Sequence, residues 1–94
     1  MKKGGTSSPF ERFRRSVYWL NSDINFHSKK SEVPTKEFLS KFYDRYERIK
    51  NSSYNDKKVN ALLETILSLV EGKSKLKDIH AVSNLLYEYV KKMG

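Results

Sequence analysis

The chain has 94 residues and no cysteine, and its 19 Lys and Arg against 11 Asp and Glu give a formal net charge of +8. That is one small domain with no disulfide framework, no thiolate chemistry and no zinc–cysteine site. A charge excess of this sign concentrates polyanions near the surface, which suits nucleic acid, an anionic surface or an acidic protein partner.

Glutamine is absent while Lys, Glu, Tyr and aliphatic residues are plentiful, a bias that suits a thermophile; six asparagines weigh the other way. No apolar run approaches the ~20 residues that a bilayer span needs. Lys2 and Lys3 have no apolar stretch behind them, so a secretory leader is not expected and a cytoplasmic location is. Without secretion, Asn51-Ser52-Ser53 is a polar turn and not a glycosylation site.

Residues 1–7 lack apolar content and contain Gly4-Gly5, which predicts a disordered tail before a single helical domain over 8–94. Ser8-Pro9-Phe10-Glu11 has the form of a capping box with proline at the first helical position. Phe10, Phe13, Val17 and Leu20 follow at helical spacing, predicting a first helix over about 9–21. Asn21, Ser22, Asp23 and Asn25 are weak helix formers, so residues 21–34 read as a long connection. Ile24 and Phe26 are its expected buried anchors, and Lys29-Lys30 its exposed basic tip.

A second helix is predicted over about 35–50, capped by Thr35, with Leu39, Phe42, Tyr46 and Ile49 on one face and Phe38 and Tyr43 widening it. A third, over about 55–71, has the broadest apolar face and is expected to be central. Gly72 supplies its stop and Ser74 the cap of a fourth helix over about 75–92, whose stripe runs from Leu76 to Met93. The short links at 51–54 and 72–74 call for antiparallel neighbours. No strand pattern appears, and the expected fold is all-α, a small antiparallel bundle of four helices.

Enzymatic chemistry is not expected. Gly72-Lys73-Ser74 resembles the tail of a phosphate-binding loop, but position 67 is Leu where that loop needs glycine, and a helix precedes it where a strand is needed. His27 and His80 lack partners at metal-ligand spacing, so no metal and no cofactor is expected. The serines sit at helix starts and turns, as caps do, and the acids lie mostly beside lysines, as surface pairs do. Helices three and four have the short turn of a helix-turn-helix, but helix four offers few donors for reading DNA. Membrane-surface binding is disfavoured because the apolar helix faces are needed for the core.

The first helix carries the candidate binding surface. At about 100° per residue from Phe10, the apolar set centres near 310°, while Arg15, Trp19 and Arg12 fall at about 140°, 180° and 200°. Arg14 and Tyr18 flank them. Arginine forks grip phosphates and aromatic rings offer stacking planes for unpaired bases. Trp19 has two possible placements: buried with Phe26 under a folded-back connection, or standing as an exposed platform. Lys29 and Lys30 extend the basic surface. A third basic area joins Lys57 and Lys58 to Lys73, Lys75 and Lys77, four of them at helix N-termini where the dipole disfavours them. The charge is +4 over residues 1–34 and +2 over each of 35–54 and 55–94, which points to the N-terminal third.

In its size, its charge and its Lys- and Tyr-rich, cysteine-free composition, the chain resembles the small DNA-associated proteins of thermophilic archaea. Among these it is similar to the basic accessory subunits bound to archaeal family-B replicative DNA polymerases. The resemblance covers the whole chain as a matter of composition, carries no motif and transfers no site residues. It implies a replication or chromatin accessory. The expected partner is therefore nucleic acid, DNA before RNA, within a larger complex, with no small-molecule substrate. The alternative is a protein-interaction module, such as an accessory subunit or a viral or plasmid-encoded inhibitor, that docks an acidic partner through the Arg/aromatic face.

Overall fold

A computed structural model describes residues 8–93; the expected tail over 1–7, with Lys2 and Lys3, lies outside them. Four helices follow in order: α1 (Pro9–Ser28), α2 (Lys36–Lys50), α3 (Lys57–Glu71) and α4 (Leu76–Met93). They form a small all-α bundle, with no strand among the described residues.

The core is written in the spacing of buried side chains. Phe13, Val17, Leu20, Ile24 and His27 alternate steps of four and three along α1, as do Val59, Leu63, Ile66 and Val70 along α3. Leu76, Ile79, Ser83, Leu86 and Val90 do the same along α4. That alternation keeps one seam facing a neighbour, as in a coiled coil. On α2 the set is Phe38, Phe42, Tyr46 and Ile49, with the Phe38 and Phe42 rings stacked.

The arrangement places α1 and α4 at the centre: α1 packs along both α2 and α4, α4 also packs on α3, and α2 barely touches α3. The breadth of α3's apolar face had suggested that α3 is central, but that helix is peripheral. Contacts between residues distant in sequence fix the directions. The Ser83 hydroxyl donates to Asn21 Oδ1 at 2.6 Å, and the Tyr18 and Tyr87 rings meet at 5.7 Å, so α1 and α4 are antiparallel. His27 packs on Phe38 while Asp23 pairs with Arg45, so α1 and α2 are antiparallel too. The Tyr89 hydroxyl donates to Asp56 at 2.8 Å, which makes α3 and α4 a hairpin. Across residues 51–56, by contrast, the chain does not lay α3 back along α2.

The first helix runs seven residues beyond its expected end. Asn21, Ser22, Asp23 and Asn25 each cost up to ~0.7 kcal/mol relative to alanine in a helix. Fully burying one large aliphatic side chain returns about 1.5–3 kcal/mol. Ile24 is completely buried and His27 nearly so, and the Ser83 and Arg45 links satisfy Asn21 and Asp23. Packing therefore overrides propensity, and the long connection shrinks to residues 29–35. Of its two expected anchors Ile24 is buried, but Phe26 is 53% exposed.

Helix ends follow local chemistry. Ser8 and Thr35 accept from the backbone N–H groups of Glu11 and Phe38. Asp56 caps α3, accepting from Val59 N–H at 2.8 Å. That backbone bond, then the Tyr89 hydroxyl, holds the Asp56 carboxyl below its ordinary range, and the same contact raises the Tyr89 phenol. At the end of α3 the left-handed residue is Lys73 (φ 57°) rather than Gly72. Ser74 N–H donates to Leu69 O and Lys73 N–H to Val70 O, the Schellman pattern with Lys73 at its αL position. Ser74 thus completes the stop of α3, and Lys75 directly precedes α4, whose Leu76 N–H donates to Glu32 O.

Candidate nucleic-acid interface

All five arginines of the chain lie on α1 and α2: Arg12, Arg14, Arg15, Arg45 and Arg48. Four of them line one cleft between these helices, with a volume of about 450 Å³. Its lining is Arg12, Arg15, Ser16, Trp19, Arg45 and Arg48, with no carboxylate among them. The antiparallel pairing builds it. The N-terminal half of α1 runs beside the C-terminal half of α2, so the polar face of each helix closes one wall.

Trp19 is 45% exposed, and the expected alternative of burial with Phe26 does not occur, because α1 stays helical past both residues. Its indole meets the Tyr18 ring edge-on at 5.3 Å, and the Arg45 guanidinium lies 5.9 Å from its centroid. Asp23 holds Arg45 through Nε, with both side chains mostly buried. A guanidinium held through Nε keeps its terminal nitrogens for a second acceptor, the use for which arginine's planar fork is suited. Arg48 pairs with Asp44 at 3.3 Å on the exposed surface of α2, a pair worth little in water.

The expected site residues divide into three places. Arg12, Arg15 and Trp19 share the cleft toward α2. Arg14 and Tyr18 face α4, where they line a smaller hollow of about 320 Å³ with Glu11, Arg15 and Tyr87. Lys29 and Lys30 lie at the far end of α1 in a third hollow, with Ser28, Ser31, Glu32, Lys75 and Lys77. The expected grouping of Lys57 and Lys58 with Lys75 and Lys77 fails. In the antiparallel α3–α4 hairpin the start of α3 lies beside the end of α4, so the two lysine pairs sit at opposite ends. The helix that a helix-turn-helix would present to DNA, α4, packs between α1 and α3.

Arg45, Arg48 and Tyr87 escaped the sequence reading. The signal for the two arginines was available in their spacing of three on the polar face of α2, together with the confinement of every arginine to residues 12–48. What was missing was the register that sets α2 beside the first half of α1. Among the described residues no group of three or more His, Asp or Glu side chains is placed to hold a metal ion. No helix among them is long and apolar enough to cross a membrane. Compared with known proteins, the chain matches no family model, no curated protein and no solved structure.

Proposed function

We propose that this protein is a non-enzymatic, basic helical accessory that binds nucleic acid without sequence specificity, DNA before RNA, within a replication or chromatin complex. One observation carries the reading: four arginines and the only tryptophan converge on one open cleft that no carboxylate lines. Guanidinium forks match phosphate oxygens bidentately, and an indole beside them adds a surface on which a base can lie. Arginine rather than lysine is the residue for this task, and the fourteen lysines are spread over the whole chain while the arginines are not.

The test is a salt titration of binding to short labelled DNA, followed by anisotropy. Affinity should fall steeply with salt, and Arg12→Ala or Arg48→Ala should each flatten the logarithmic slope by about one unit. No binding at ~50 mM salt, where electrostatic attraction is strong, would overturn the reading.

A second reading rests on the aromatic run from the exposed Trp19 and Tyr18 to the half-buried Tyr87 on α4, flanked by Arg14. Tyr, Trp and Arg dominate protein-binding hot spots, so this face also suits an acidic protein partner. A partner retained on the protein after nuclease treatment, and released by Tyr18→Ala, would favour it.

A further inference from the structure

The continuation of α1 to Ser28 brings Phe26 onto the same face as Trp19. Seven positions separate them, which is two turns and about 10 Å along the helix, nearly in line. Both rings are large, apolar and about half exposed, at 45% and 53%. Each has a cation beside it: the Arg45 guanidinium at 5.9 Å from Trp19 and the Lys30 ammonium at 4.4 Å from Phe26. The unit of ring plus cation is thus repeated along α1, with the Arg12 and Arg15 guanidiniums at one end and Lys30 at the other. Asp23 lies between the two rings on the same helix, and its pairing with Arg45 offsets part of its negative charge.

We infer that the ligand of this face is a single strand of nucleic acid lying along α1, with unpaired bases stacked on Trp19 and Phe26 and phosphates held by the neighbouring cations. The inference rests on the nucleic-acid reading and narrows it. Exposed rings give nothing to a duplex, whose bases are already stacked on one another, whereas an unpaired base presents its π-face to any ring. A duplex could meet this face only along its phosphates. A major groove is about 12 Å wide, and α1 is flanked on both sides by packed helices in a molecule whose smallest extent is 19 Å. A face of this shape can lie along a strand but cannot enter the groove.

The experiment compares a fluorescein-labelled oligothymidylate about twelve nucleotides long with a duplex of the same length, at ~50 mM salt. Wild-type protein should bind the single strand roughly tenfold more tightly than the duplex, and Phe26→Ala should weaken single-strand binding by roughly tenfold while changing duplex binding less than about twofold. Phe26→Leu, which keeps the apolar surface without the π-system, should lose most of the same affinity. Phe26 is exposed, so both variants should retain the helical circular dichroism of the parent. Equal affinity for strand and duplex, or an unchanged single-strand affinity in both variants, would overturn the single-strand inference while leaving the nucleic-acid reading intact. Failure to bind either probe would overturn both.

Discussion

Asp23 on α1 holds the guanidinium of Arg45 on α2, and in doing so fixes one wall of the arginine cleft. The pair has two opposed effects. It ties the two helices together, and it places a negative charge beside a surface that is otherwise positive. Asp23→Asn should therefore lower stability by about 0.5–1 kcal/mol, the range for a partly exposed pair. The same change should tighten binding of DNA at low salt, because it removes a charge that repels phosphate. Chemical denaturation and anisotropy on one sample measure both; weaker binding in the variant would mean that Asp23 serves the site by positioning Arg45.

Lys73 occupies a left-handed backbone position that glycine adopts without steric penalty. Lys73→Gly should stabilise the protein by about 1 kcal/mol, which for a domain of this size raises Tm by about 4–8 °C. Thermal unfolding followed by circular dichroism is the measurement. The site is far from the arginine cleft, so the binding of oligonucleotides should stay as it is.

Asp56 caps α3 and receives the Tyr89 hydroxyl, and both contacts favour its ionised form. With a folded-state pKa depressed below the unfolded value, its stabilisation is fully present above the unfolded pKa and is lost as pH falls through the folded pKa. Stability should accordingly decline below about pH 4, and Asp56→Asn should flatten that decline while still capping α3. Tyr89 behaves in the opposite sense. Its raised pKa means that its contribution holds up to the ordinary phenol range and is lost above it. Tyr89→Phe should move the Asp56 carboxyl back toward its usual range, which an NMR titration of that carboxyl carbon reads directly.

Ser83 is the one polar side chain on the buried seam of α4, and its hydroxyl donates to Asn21 Oδ1 or to the His80 carbonyl. The equivalent seam positions on α3 are aliphatic, Leu63 among them. Ser83→Ala should cost about 1 kcal/mol, the net value of a typical hydrogen bond. A double-mutant cycle with Asn21→Ala should show coupling of similar size. Additive losses would mean that the seam holds its register by shape alone.

The helices α2, α3 and α4 were legible to within a residue or two, because their apolar periodicity is strong and Thr35 and the Gly72 region mark their ends. The end of α1 was not. Four weak helix formers in five positions read as a break, and what keeps them helical is contact with Ser83 and Arg45, far away in sequence. That single error carried another and left a choice open. With a connection placed at residue 21, Phe26 looked like an anchor folded inward, and Trp19 could be either its neighbour in a core or an exposed platform. With a helix there, the same 3.6-residue period sends both rings outward. The basic residues of α1 were found because charge and aromatics share one turn. Arg45 and Arg48 were not, because only the antiparallel register of α2 brings them alongside.

The lone tryptophan makes the central claim directly measurable, since Trp19 lines the arginine cleft. Titrating the protein with unlabelled oligothymidylate at ~50 mM salt should quench Trp19 fluorescence saturably, and adding salt should restore it. Arg12→Ala should shift the midpoint to higher oligonucleotide concentration. Binding seen by anisotropy with no change in Trp19 intensity or wavelength would contradict the account, because the polyanion would then occupy some other part of the surface.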